Sequence, residues 1–288
     1  MKIIKKISLI CASLMALVLL SSCSNKQEAS SAITLVSRED GSGTRGAFTE
    51  ITDVLFKDEE KTEDNTSLSS IVQNSTNAIM MTVAQDPNAI GYISLGSLND
   101  SVKALSVDGV KAEPKTVESG EYKISRPFIL AYKDDLSDPG ADFLSFIESK
   151  QGDDIILAAG YQKIPGDKKD YEIKKDIKGE LIISGSTSVT PLMEKLTESY
   201  KQIYPEVNFE IQSNGSSAGI QDAIRGTSDI GMASRELEND EGSDLKSSPI
   251  AIDAIAVIVN KENPIENLDL KNLKDIYTGK ITDWSALK

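Results

Sequence analysis

Three short runs rich in serine and glycine have the residue types to grip an oxyanion. They are Ser37-Arg38-Glu39-Asp40-Gly41-Ser42-Gly43-Thr44, Ser184-Gly185-Ser186-Thr187-Ser188 and Ser213-Asn214-Gly215-Ser216-Ser217. Glycine lets a backbone close on a ligand, and serine and threonine supply hydroxyl donors. The first turn of a following helix leaves N–H groups without intrahelical partners. Three such runs brought together would form a cage of neutral donors for a small, dehydrated oxyanion. Arg38 adds a planar fork that matches two oxygens of a tetrahedral anion. Asp40, ionised, only accepts hydrogen bonds, so beside an anion it suits a guest that still carries a proton. Hydrogen phosphate can donate to it and sulfate cannot. A buried acceptor left unpaired discriminates by about 10⁴-fold or more. The plainer alternative is a surface ion pair between Arg38 and Asp40.

The chain contains no histidine. That removes a Ser–His–Asp triad, a Cys–His pair and a His-ligated metal centre. Ser42 between two glycines looks like a nucleophile elbow, yet no imidazole is available to take its proton. A Ser–Lys pair is the remaining nucleophilic option. Gly41-Ser42-Gly43-Thr44 lacks the lysine and the glycine spacing of a P-loop. The residues therefore favour non-covalent binding, with no metal and no organic cofactor, over catalysis.

Each run needs a strand before it and a helix after it. Ile33–Val36, Leu181–Ile183 and Val207–Ile211 read as the strands. Residues 47–55, the stretch after Pro191, and Ile220–Ile224 repeat at helical spacing, and Gly226 can end the last helix. Ile90–Ile93 and Ile250–Val259 are further strand candidates. Ile71–Ala84 reads as one amphipathic stretch with Asn74 and Asn77 on its polar side. Phe143–Ile147 begins a helix with a plain core face, Trp284 reads as a core side chain, and Asp167–Lys178 reads as a charged, solvated linker. Alternating strands and helices imply an α/β fold with parallel or mixed sheets, in which ligands sit at the carboxyl ends of strands.

The N-terminus carries Lys2, Lys5 and Lys6, then an apolar run from Ile7 to Leu20. The run is shorter than the roughly 20 residues a spanning helix needs, so it reads as an export signal. Leu20-Ser21-Ser22-Cys23 resembles the bacterial lipobox. That resemblance implies lipidation of Cys23, a signal peptide over 1–22 and a flexible tether over 23–32. Cys11 lies in the leader, so Cys23 has no disulfide partner in the mature chain. The formal charge is −14, and loss of the three leader lysines takes it to −17. Nucleic acid is thereby excluded as a partner. Long-range steering opposes any anion, so local dipoles must hold one.

At these residues the chain resembles the PstS family, the phosphate-binding proteins of bacterial ABC phosphate importers. The family pattern Arg-x-Asp-Gly-Ser-Gly-Thr stands at Arg38–Thr44. Gly185-Ser186-Thr187-Ser188, Gly215-Ser216-Ser217-Ala218-Gly219 and Ser228-Asp229-Ile230-Gly231 are similar to three further family elements. The resemblance implies a two-lobed periplasmic-binding-protein-like fold (type II), with mixed sheets and hinge strands. It implies that Arg38, Asp40, Ser42, Gly43 and Thr44 contact phosphate from one side, and Thr187, Ser188 and Ser216 from the other. Ser234 stands where many members carry a second aspartate, which weakens sulfate exclusion and leaves Asp40 as the proton reader.

The order of segments resembles a circular permutation of the family pattern. It predicts one lobe from 33–95 plus 262–288 and a second from 96–261. The implied protein is a monomeric, lipid-anchored receptor on the extracellular face of the cell membrane, not an enzyme, that hands phosphate to permease subunits. Alternatives are a receptor for sulfate or molybdate, a secreted serine hydrolase, or an adhesin or sensor on the same scaffold.

Overall fold

In the computed structural model the described residues are 31–58, 61–238 and 241–287. The expected leader, Cys23 and most of the tether lie outside them. Among the described residues no helix is long and apolar enough to cross a membrane.

Eight strands carry the main sheet: β1 (Thr34–Arg38), β2 (Ile71–Gln73), β3 (Ala89–Ser94), β4 (Ser125–Tyr132), β5 (Gly179–Gly185), β6 (Val207–Ser213), β7 (Ile230–Ala233) and β8 (Lys246–Val259). Their spatial order is β6-β5-β7-β4-β8-β3-β1-β2. β1 runs parallel to β2 and β3, and β5 parallel to β6 and β7. Two strands join these groups. β4 is antiparallel to β7, and β8 is antiparallel first to β4 and then to β3. The sheet is mixed, with two connecting strands, as expected.

Among the described residues, seven helices of eight residues or more accompany it: α1 (Gly43–Ile51), α2 (Thr76–Gln85), α3 (Asp138–Ile147), α4 (Lys150–Ala158), α5 (Thr190–Ile203), α6 (Ser216–Arg225) and α7 (Leu270–Tyr277). The two largest groups of buried side chains each have an aromatic centre. Phe48 of α1, Tyr92 of β3 and Tyr277 of α7 form one aromatic centre, with the Phe48 and Tyr92 rings stacked at 4.0 Å. Phe143, Phe146 and Tyr200 form the other, under α3 and α5.

The two cores do not follow boundaries at 95/96 and 261/262. Leu105, Tyr122 and Ile124 pack with Phe48 and Tyr92, as do Ala254, Ile255 and Val257. Phe128 and Ala251 pack with the second core. The core therefore changes near residues 125 and 253, inside β4 and β8. No turn residue marks these points: β8 shifts its register against β4 between Pro249 and Ala251 but stays one strand, and β4 likewise runs on from one core to the other.

Three local readings also change. Ile71–Ala84 is β2 followed by α2, because Ser75 caps the helix by accepting from the Ala78 N–H. Leu55 lies in a short hairpin (Leu55–Lys57 with Thr62–Asp64), not in α1. Asp167–Lys178 has no helix or strand, yet it is pinned to the protein rather than freely solvated. Tyr171 donates to Asp142, Lys174 pairs with Asp142 at 2.9 Å, and the Lys174 N–H donates to the Tyr204 hydroxyl at 2.9 Å. Burial pushes Asp142 up, but the hydroxyls of Tyr171 and Tyr200 and the Lys174 ammonium hold its carboxyl below the usual range.

Candidate functional site

Four strand-to-helix junctions, not three, meet at the carboxyl ends of the parallel strands. They follow β1, β2, β5 and β6 and lead into α1, α2, α5 and α6. Each presents the first turn of a helix, where backbone N–H groups lack intrahelical acceptors and the helix dipole favours negative charge. Gly41, Gly185 and Gly215 turn these junctions at φ values of 81°, 139° and 99°, which only glycine adopts without strain.

The hydroxyls of these junctions form one buried cluster. Thr44 and Ser188 share a hydrogen bond at 2.9 Å, which joins α1 to the loop before α5. Thr76, the first residue of α2, shares hydrogen bonds with Thr187 at 3.2 Å and Ser188 at 3.3 Å. Ser186 donates to the Ser234 hydroxyl at 2.9 Å, and the Ser234 N–H donates to Ser216 at 3.2 Å. Gly43 lies against the same group. A Cβ there would come within 2.5 Å of Ser216 Oγ and 2.8 Å of Ser234 Oγ. Ser42 caps α1 by accepting from the Arg45 N–H. The structure thus brings Ser42, Gly43, Thr44, Thr187, Ser188, Ser216 and Ser234 together.

Thr76 and Ser186 belong to the same cluster and were not among the expected site residues. Ser186 lies inside the Gly185-Ser186-Thr187-Ser188 motif. The signal for Thr76 was Asn74-Ser75 ahead of an apolar run, a capping pattern hidden when the stretch is read as one helix.

The charged residues are arranged differently from expectation. Arg38 is buried, and its fork is taken by Glu39 through two hydrogen bonds of 2.8 Å. Its backbone N–H donates to the Tyr92 hydroxyl, which also bonds Ser37. Asp40 is not in the cluster. Its side chain is 96% exposed and pairs with Arg45 at 3.0 Å. The turn at Gly41 points Glu39 inward and leaves Asp40 outside, so neither the buried proton reader nor an Arg38–Asp40 pair is present.

Arg45 also holds Asp64 and the Arg38 carbonyl. Arg235 binds Glu241 with both terminal nitrogens and donates to Ser217 at 3.0 Å. Burial alone would raise Glu241, but Arg235 and the Glu238 N–H hold its carboxyl below the usual range. These guanidinium groups are each matched by carboxylates. What the cluster offers an anion is therefore mostly neutral: hydroxyls and four helix N-termini. A cleft of about 880 Å³ borders it, with Gly41, Ser42 and Arg45 on one side, Ser217 and Arg235 on the other, and Arg126 also lining it.

Comparison with known proteins places this geometry in a family. A model of the PBP superfamily domain matches residues 21–151 and 172–288. The phosphate-binding protein PstS 2 of Streptococcus pneumoniae TIGR4 is 49% identical over 267 residues, covering 93% of this chain and 91% of that protein. PstS 2 of Streptococcus agalactiae serotype V is 48% identical over 294 residues, covering the whole of this chain and 99% of the relative. The crystal structure of a phosphate-binding protein of a phosphate ABC transporter from S. pneumoniae TIGR4 superposes with a TM-score of 0.70. It covers 89% of this chain and all of that one, at 49% identity.

Proposed function

The chain belongs to the PstS phosphate-binding family within the PBP superfamily, and from that membership we propose that it binds inorganic phosphate between two lobes and passes it to an ABC permease. It is a binding protein and not an enzyme. The observation that carries the reading is the buried hydroxyl cluster at four converging helix N-termini. Such a site suits a chain of formal net charge −14, because hydroxyl and amide dipoles act only at short range.

In this reading Thr44, Thr76, Thr187, Ser188, Ser216 and Ser234 donate to or accept from the phosphate oxygens. Ser42 and Gly43 contribute the N-terminal turn of α1. Arg38 supplies buried positive charge with Glu39 as counter-ion, and Asp40 has no contact role. The hydroxyl pairs that join the junctions exchange their mutual bonds for bonds to the ligand. Hydrogen bonds to a charged guest contribute roughly 1.5–3 kcal/mol each, so several together offset its desolvation.

The lobes we propose follow the cores: 33–124 with 254–288, and 125–253. β4 and β8 cross between them and form the hinge. The Cys23 lipid anchors a monomer to the outer face of the membrane, and the segment order is a circular permutation of the family's usual one.

Calorimetric titration of the full chain in detergent tests the reading. Phosphate gives a saturable isotherm with one ion per chain, and the absence of such an isotherm would overturn the reading. Equal binding of sulfate would overturn the phosphate assignment.

A further inference from the structure

The arginines bordering the cleft differ in how completely they are used. Arg38 spends its fork on Glu39, and Arg45 and Arg235 are held by Asp40, Asp64 and Glu241. Arg126 is only 3% exposed, and of its three nitrogens Nη2 alone has a partner, Asp253 Oδ2 at 3.1 Å. Nε and Nη1 are buried without a hydrogen-bond partner. Buried donors of this kind are rare in native interiors, because the water they lose is not replaced.

The register of the sheet places this pair on the wall of the cleft that Gly41 and Ser42 also line. Asp253 on β8 faces Arg126 on β4, at the point where the chain passes between the two cores. Two residues further along β8, Ile255 faces Ser94 at the end of β3. β1 lies next to β3 and ends at Arg38. With strands about 4.8 Å apart, Arg126 and Arg38 stand three strand spacings apart across the sheet, roughly 14 Å, and are offset along the strands by about three residues. Both side chains are buried, and Arg126 lines the same cleft as Gly41 and Ser42. Burial lowers the Arg126 value, Asp253 opposes that, and Arg38 lowers it further, so the two cations feel each other.

We propose that Arg126 is a second buried cation of the phosphate site, and that Asp253 sets how much of its charge the anion feels. The inference rests on the phosphate-receptor reading. Arg38 comes with an immediate counter-ion that occupies its fork. Arg126 is tied at one nitrogen only, so a dianion entering the cleft competes with a single carboxylate for its field. In a water-poor interior such a charge acts over several ångströms more strongly than in solvent.

The test uses phosphate titrated into the full chain in detergent, with thermal unfolding measured on the same samples. Arg126→Gln leaves Asp253 uncompensated and weakens phosphate binding about tenfold or more, whereas Arg126→Lys keeps the charge and stays within about threefold of wild type. Asp253→Asn unmasks Arg126 and tightens binding several-fold. A purely structural pair would lose affinity, or keep it, in both single variants alike. Should Arg126→Gln not fold, Asp253→Asn is compared with the Arg126→Gln/Asp253→Asn double variant, which lacks the same carboxylate. The double variant must bind about tenfold more weakly. Shifts of the same sign, or none, overturn the inference while the wild-type isotherm stands. A wild-type chain that gives no phosphate isotherm overturns the receptor reading and this inference with it.

Discussion

Ser188 bonds both Thr44 and Thr76, so one hydroxyl links two helix N-termini of one core to a loop of the other. Ser188→Ala removes that hydroxyl without adding volume. A hydrogen bond to a charged guest contributes roughly 1.5–3 kcal/mol, so phosphate affinity falls about ten- to a hundredfold. Calorimetry reads the loss, and an unaltered dissociation constant would take Ser188 out of the site. Asp40→Asn is the matching control. An exposed ion pair contributes about 0–1 kcal/mol, and Asp40 lies at the surface, paired with Arg45. Preference for phosphate over sulfate therefore stays as in wild type. The contrast between these residues marks what could be read from side-chain types. Hydroxyls spaced along Thr44, Thr187, Ser188 and Ser216 predict one cluster, and in the fold these side chains lie together. Which of two adjacent acids would take the Arg38 fork could not be read, because the turn at Gly41 decides it.

Strands and helices were legible where their patterns were strong. β5, β6 and α6 lie where the alternation and Gly226 placed them. β2 and α2 were fused in the reading, since a three-residue strand has no period of its own. The crossings in β4 and β8 were invisible for a different reason: a continuous strand carries no mark of which core its side chains join. The Arg126–Asp253 pair on those strands has a thermodynamic signature of its own. Burial pushes the Asp253 carboxyl up to about 6, against the pull of Arg126, and Tyr122 and Tyr161 face it from neighbouring elements. A folded value above the ordinary carboxylate value of 3.8 means that the folded protein holds this proton more tightly. The stability it contributes is complete below about pH 4 and is lost as pH rises through about 6. Asn cannot ionise, so Asp253→Asn lacks this dependence. Relative to that variant, the wild type loses on the order of 2–3 kcal/mol between pH 4 and pH 7. Urea unfolding at the two pH values measures the difference. A constant gap would mean that Asp253 is not perturbed in the fold.

At the scale of the molecule, the segments at the two ends of the described chain lie side by side. Ala32 bridges Asp283, and the Ile33 N–H donates to the Thr282 carbonyl at 2.8 Å. Trp284 is buried, and its indole N–H donates to the Asn88 carbonyl at 3.0 Å. The core that holds Phe48 and Tyr92 is thus built from both segments, whatever the order in which the chain supplies them. Fold and site depend on which strands neighbour each other, and a new cut at an exposed loop preserves that. Gly166 is such a place: it is exposed, and a Cβ there would meet no heavy atom within 4 Å. A chain opened between Gly166 and Asp167, with a short Gly/Ser linker from residue 287 to residue 32, folds and binds phosphate within about threefold of wild type. Opening between Tyr171 and Lys174 instead splits the strap that holds Asp142 from both sides, and the melting temperature falls. Calorimetry and thermal unfolding of the two permutants decide the matter. If the chain opened at Gly166 lost phosphate, the present order of segments would itself be a requirement of the site, and spatial adjacency alone would not explain how the two lobes come to share it.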